Sequence, residues 1–191
     1  MIIAIISEPR SGSFNLYRWF VESLPEHEHV WEVVGHTGAD MKRVYYNEEW
    51  FDNTKDYVVN DKFFEINIPN MERLTSSADL TIALYREDIK AQIESFVIAK
   101  VQEQWGDEYT APRYIVDNID TTYLNIKQYF ENQKVLFKNF IEEHNLKTFT
   151  YEELYYGNKI DELKKYIGLE SGIPFPYGKK YRVETKVRGL L

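Results

Sequence analysis

Ile2-Ile3-Ala4-Ile5-Ile6-Ser7 is an almost wholly apolar run near the amino terminus. So short a run leaves no polar face for water, which suits a strand buried on both sides within a helix-covered parallel sheet. A glycine-bearing turn follows, then a helical pattern over Ser13–Leu24, with Leu16, Phe20 and Leu24 at helical spacing and Pro25 as its stop. A buried strand that turns directly into a helix is the opening of a right-handed crossover and points to an α/β architecture.

The rest of the chain continues the alternation. Val30–Gly35 reads as a second strand, Asp56–Ile68 as a third and Leu80–Tyr85 as a fourth, with a short helix after Pro69. Asp88–Trp105 reads as a helix, residues 106–116 as a loop, and Asn118–His144 as a long amphipathic helix with Ile119, Ile126, Phe130, Phe137 and Ile141 on its inner stripe. Thr148–Thr150 reads as a last strand, Lys159–Ile167 as a helix stopped by Gly168, and the segment from Ser171 as irregular. The expected fold is a single P-loop-like α/β domain over 1–191, with a central, mostly parallel sheet flanked by helices in three layers. Ligands of such sheets bind at the carboxyl ends of the strands, here the turns after Ser7 and Tyr85.

Composition narrows the function. The 191 residues suit one domain, and a 43% hydrophobic fraction supplies a core. A net charge of −8 argues against a nucleic-acid binder but leaves room for one anion held by local arginines and lysines. Cysteine is absent, which excludes disulfides, thiol catalysis and Cys-ligated zinc. Neither a leader pattern nor a spanning apolar run is found, so the expectation is a soluble, cytoplasmic protein with no membrane partner. The oligomeric state is not legible.

Pro9-Arg10-Ser11-Gly12-Ser13 lies between the first strand and its helix. Gly12 lets the backbone turn close to a ligand. Successive N–H groups can form an anion nest, reinforced by the positive end of the helix dipole. Arg10 offers a permanently charged fork for phosphate or sulfate oxygens, and Ser11 and Ser13 add hydroxyls. The structural alternative is a capped turn, with Ser13 as N-cap and Arg10 in solvent. Hydrolysis of ATP or GTP is disfavoured, since no Gly-Lys-Ser/Thr occurs near residue 12.

A second basic position follows the fourth strand. Arg86 ends Ala83-Leu84-Tyr85-Arg86, and Ser95 lies about two and a half turns along the next helix. Together they can hold a second phosphate; alone, they read as an Arg86–Asp88 pair and a helix-face serine.

With both segments in view, the chain resembles the sulfotransferase family. Pro9–Ser13 resembles its 5′-phosphosulfate loop, and Arg86 through Ser95 its 3′-phosphate segment. Ser95-Phe96-Val97-Ile98-Ala99, running to Trp105, is similar to the bacterial branch that includes trehalose sulfotransferases. Thr150-Tyr151-Glu152-Glu153-Leu154 looks like the Tyr-Glu-Asp-Leu element of these enzymes, followed by a helix and Gly168-Leu169. The resemblance implies a donor, 3′-phosphoadenosine-5′-phosphosulfate, held by Arg10 and the backbone of Ser11, Gly12, Ser13 and Phe14 at one end. Arg86 and Ser95 hold the other end, and no metal is required. Phe14 stands where the family often has Thr, Glu87 where it has a second arginine, and Lys186-Val187-Arg188-Gly189 is the nearest counterpart of its carboxyl-terminal Arg-Lys-Gly loop, which brings in Arg188.

Sulfuryl transfer resembles phosphoryl transfer: in-line displacement with charge on the equatorial oxygens. Arg10 can stabilise that charge, and Lys62 the bridging oxygen. His36 and Glu32 are the candidate bases for a small-molecule hydroxyl acceptor, with a carbohydrate as one candidate class. Each of the three is as readily an ordinary surface polar residue. His27 and His29 read as solvated. Tyr45, Tyr46, Trp50 and Phe51 can stack on an acceptor ring or close the core. Two other functions fit the same residues: a small P-loop-like nucleotide kinase, and a catalytically inactive nucleotide-binding protein.

Overall fold

A computed structural model describes residues 1–31, 51–102, 120–169 and 173–175. The strands are β1 (Ile2–Ser7), β2 (Glu28–Trp31), β3 (Tyr57–Lys62), β4 (Leu80–Tyr85) and β5 (Lys147–Thr150). The helices are α1 (Ser13–Ser23), α2 (Ile68–Ser77), α3 (Ile89–Gln102), α4 (Asp120–Glu143), α5 (Tyr151–Tyr155) and α6 (Ile160–Ile167). All strand pairs are parallel, in the order β2-β3-β1-β4-β5. The chain builds one side of β1 with β2 and β3, then crosses to the other with β4 and β5. The loop after β1 therefore sits where the strand order reverses, the crevice that binds ligands in open α/β sheets.

The apolar run of β1 explains its central place. Ile3 and Ile5 pack toward α1, α5 and α6, with Leu16, Trp19, Phe20, Leu154, Leu163 and Ile167. Ala4 and Ile6 pack toward α2 and α4, with Met71, Leu74, Phe137 and Phe140. Helices thus cover both faces of a five-stranded parallel sheet. In register, Ser7 pairs with Lys62 and with Leu84, so the strand ends bearing the candidate residues share one edge.

The main departures from the sequence reading are two strand boundaries and one helix. β3 stops at Lys62 rather than Ile68, because Glu65–Asn67 forms a 3₁₀ turn that leads into α2, with Pro69 in its first turn. The apolar residues Phe63 and Phe64 disguise that stop, since hydrophobicity alone does not mark where pairing ends. β2 begins at Glu28, two residues before the expected start, because an edge strand tolerates an exposed charge; residues 32–35 lie outside the described residues. α5 went unforeseen as a helix. Its start is a capping box, with Glu153 N–H donating to Thr150 Oγ1 and Thr150 N–H to Glu153 Oε2, a pattern the sequence carries as Thr-x-x-Glu.

Two side-chain expectations also change. His27 is half-buried and neither ring nitrogen has a hydrogen-bond partner; burial lowers its pKa. His29 is half-buried as well, with Nε2 3.1 Å from the Leu24 carbonyl oxygen. Phe51 closes the core edge-on to Tyr57, at 5.2 Å between ring centroids. Among the described residues, no helix is long and apolar enough to cross a membrane.

Candidate functional site

The β1–α1 loop is shaped by two left-handed residues, Arg10 at φ 61° and Gly12 at φ 81°. The second is glycine for two reasons. Its backbone angle disfavours a side chain, and a Cβ there would stand 2.5 Å from Tyr151 Cδ2. Arg10 has no such exemption, and a non-glycine residue held there stores strain of about 1–3 kcal/mol, a feature that clusters at ligand sites. Ser11 Oγ donates to the Glu8 carbonyl at 2.7 Å, closing the turn from within.

Gly12 is the N-cap of α1, and no side chain caps the helix. Ser13 is instead its first residue, and the Ser13 hydroxyl receives a hydrogen bond from the Lys62 ammonium. Lys62 also donates to Ser7 Oγ at 3.1 Å. All three of these residues are buried. The last residue of β3 is thereby tied to both ends of the β1–α1 loop, and Phe63 N–H adds a bond to the Ser7 carbonyl at 2.9 Å. The Lys62 ammonium also stands 5.5 Å from the Trp31 ring centre, and Phe14 meets Trp31 edge-on at 5.1 Å. Phe14 thus contributes an aromatic wall where a hydroxyl was missed.

α3 holds the other side of the loop. Arg10 Nε donates to Ser95 Oγ at 3.0 Å, so the two segments read separately from the sequence meet directly. One turn earlier on α3, Gln92 Nε2 donates to the Pro9 carbonyl at 2.8 Å and to Glu8 Oε2 at 3.1 Å. The Glu8 carboxyl is buried, and desolvation raises its pKa against the opposing pull of Lys134 and the Gln92 bond. Lys134 comes from α4 and donates to the Arg86 and Glu87 carbonyls. Burial lowers the Lys134 pKa, opposed by Glu8.

Arg86 is placed differently from a bare phosphate ligand. Its guanidinium lies 4.6 Å from the Tyr151 ring centre, and its Nε is 3.8 Å from Glu152 Oε1. Glu152 also accepts from the Glu87 and Asp88 backbone N–H groups, at 3.0 and 3.2 Å. The expected local partner, Asp88, instead accepts from Ala91 N–H at 2.9 Å at the start of α3. Tyr151 and Tyr155 stack at 4.5 Å over the loop, and the Tyr155 hydroxyl donates to the Gly12 carbonyl at 2.8 Å. Burial raises the pKa of both phenols, so both stay protonated donors.

Arg10, Ser11, Gly12, Ser13, Phe14, Lys62, Arg86 and Ser95 therefore gather around the carboxyl edge of β1, β3 and β4. Glu32, His36 and Arg188 lie outside the described residues, as do Tyr45, Tyr46 and Trp50. Sequence reasoning missed Glu8, Gln92, Lys134 and Tyr155. Gln92 had a signal, lying one turn before Ser95 on the same helix; the others become visible only through tertiary contact. No family model, no curated protein and no solved structure matches the chain.

Proposed function

We propose that this chain is a sulfotransferase that takes the sulfuryl group of 3′-phosphoadenosine-5′-phosphosulfate to a hydroxyl acceptor. One observation carries the reading: Arg10, Lys62 and an α1 N-terminus without a side-chain cap converge at the loop where the strand order reverses. Backbone N–H groups, a helix dipole and two cations are a complement for a dianionic group. A central strand running through this loop into α1, in a β2-β3-β1-β4-β5 sheet, also supports the P-loop-like description.

In this reading Arg10 and the N–H groups of residues 11–14 bind the phosphosulfate. Ser95 holds the Arg10 side chain in place, and the Arg86–Ser95 segment faces the 3′-phosphate. The donor supplies an activated sulfuryl group, and the protein supplies position and preorganised positive charge. Lys62 stands beside the loop with its ammonium oriented by Ser7 and Ser13, suited to the oxygen that gains charge as the bridging bond breaks. His36 and Glu32 remain the proposed bases, on the segment that follows β2.

A second reading, a nucleotide-binding protein without turnover, gains one observation: Arg86 is already engaged by Glu152 and Tyr151. Sulfur-labelled donor offered with a mixture of hydroxyl acceptors separates the possibilities. Label transferred in EDTA supports the sulfotransferase. Binding of adenosine 3′,5′-bisphosphate without transfer supports the inactive binder, and no sulfur transfer but phosphoryl transfer from ATP–magnesium to a nucleotide supports a nucleotide kinase.

A further inference from the structure

The backbone between β4 and α3 presents three consecutive N–H groups, and a carboxylate meets each of them. Arg86 N–H donates to Glu8 Oε2 at 3.4 Å, Glu87 N–H to Glu152 Oε2 at 3.0 Å and Asp88 N–H to Glu152 Oε1 at 3.2 Å. Successive backbone amides in a turn form an anion-binding concavity. The Glu152 carboxylate occupies it as a bound anion does, one oxygen on each amide, with Arg86 Nε 3.8 Å from Oε1. Glu87 and Asp88 are themselves exposed, and Asp88 Oδ1 accepts from Ala91 N–H. The turn thus offers Glu152 its backbone and Arg86, not its acids.

Two features mark Glu152 as a displaceable occupant. Arg86 Nε is buried without a hydrogen-bond acceptor, since 3.8 Å to Glu152 is an ion pair and not a hydrogen bond. A buried donor left unpaired costs free energy that a better-placed anion recovers. The Glu152 side chain is 27% exposed and stands in the first turn of α5. It can rotate into water without unmaking the helix, whose capping box belongs to Thr150 and Glu153. Arg86 keeps its support when Glu152 leaves, because its guanidinium lies 4.6 Å from the Tyr151 ring centre. The same ring packs against Gly12, where a Cβ would stand 2.5 Å from Tyr151 Cδ2. One tyrosine ring therefore separates this turn from the β1–α1 loop, so a single ligand with two anionic groups can reach both.

We infer that Glu152 is a specificity-determining residue: its carboxylate is the resident anion of the β4–α3 turn, and a phosphate on the ligand enters there only by displacing it. The inference rests on the sulfotransferase reading for the identity of the nucleotide but not for the exchange of anions. A dianionic phosphate has the charge and the oxygens to take over both amides and Arg86, whereas a neutral ribose hydroxyl cannot replace a carboxylate on them. Glu152 therefore lowers the affinity for a 3′-phosphorylated nucleotide and leaves one with a free 3′-hydroxyl unaffected. Selectivity is the difference between those two affinities. If Glu152 served only to hold Arg86 ready for the phosphate, its removal would weaken binding, the opposite sign.

The test titrates the full chain as wild type, Glu152→Gln and Glu152→Ala with adenosine 3′,5′-bisphosphate, adenosine 5′-monophosphate and inorganic phosphate, by calorimetry. Glu152→Gln keeps the length of the side chain and an acceptor oxygen. The expected result is a bisphosphate Kd about tenfold lower in both variants, the scale of one charge-assisted hydrogen bond, with the monophosphate Kd unchanged. Adding Arg86→Ala to Glu152→Gln should erase the gain. A bisphosphate that binds wild type and binds the variants equally or more weakly overturns the inference and leaves the donor site standing, as does a monophosphate that tightens by the same factor. Inorganic phosphate that binds Glu152→Ala and not wild type, with no bisphosphate binding to any of the proteins, removes the donor reading and keeps the displaced carboxylate. Binding of neither ligand to any of them overturns both.

Discussion

Arg10 Nε donates to Ser95 Oγ at 3.0 Å, a bond between residues 85 apart in sequence. It joins the loop after β1 to the helix after β4. A guanidinium on a long side chain has many rotamers, and this bond removes much of that freedom before an anion arrives. Ser95→Ala should weaken adenosine 3′,5′-bisphosphate about tenfold, the size of one charge-assisted hydrogen bond. Arg10→Ala should weaken it further. Calorimetric titration of the three proteins gives the order; equal affinities would mean that the bond is incidental.

Gly12 should not tolerate a methyl group. Gly12→Ala meets both a left-handed backbone angle and the Tyr151 ring, with 2.5 Å to Cδ2. The expected loss is about 1–3 kcal/mol from the backbone angle alone, with the clash added to it. Gly12→Ala combined with Tyr151→Ala should recover the clash and not the strain, a coupling that denaturant unfolding of the double-mutant cycle measures directly.

Glu8 ties stability to pH. Burial holds its folded-state pKa above the ordinary value of 4.5. The stabilising contribution of the protonated form is therefore fully present below about pH 4.5 and lost as pH rises through the raised value. Glu8→Gln keeps an oxygen for the Gln92 bond and removes the buried charge. Its stability relative to wild type should increase between pH 4 and pH 7, read from unfolding midpoints at each pH. A constant difference across that window would show that Glu8 does not titrate as its burial requires.

Lys62→Met separates binding from chemistry. The side chain keeps its length and loses the ammonium that donates to Ser7 and Ser13. If Lys62 acts on the bridging oxygen, single-turnover transfer should fall about 10²-fold or more, with a smaller change in bisphosphate Kd. An equal loss in both would make Lys62 a ground-state binding residue.

Much of the fold was legible because its signals are local. The apolar run Ile2–Ser7 suits a doubly buried strand, and Leu80–Tyr85 repeats the pattern. Gly168, at φ 73°, ends α6 as its position suggested. The end of β3 was not legible, since Phe63 continues the apolar run into the core cluster beneath α4 after strand pairing has stopped. At the site, Arg10 and Ser95 could be named separately, and only the fold shows that they touch. Ser13 could be read as a helix cap, yet its hydroxyl partners Lys62, a residue 49 positions away. Glu152 became visible as the partner of Arg86 only because the capping box at Thr150 turns the chain there into a helix.

The most direct test of the proposed donor site is thermal melting of wild type and Arg10→Ala with adenosine 3′,5′-bisphosphate and with ATP–magnesium. A ligand that binds only the folded state at a hundredfold excess over Kd stabilises it by about 2.7 kcal/mol, which for a chain of this size raises Tm by roughly 5–10 °C. The predicted result is that rise for wild type with the bisphosphate, little change with ATP–magnesium, and loss of the rise in Arg10→Ala. No shift with the bisphosphate, or an equal shift in both proteins, would contradict the assignment of the β1–α1 loop as the donor site.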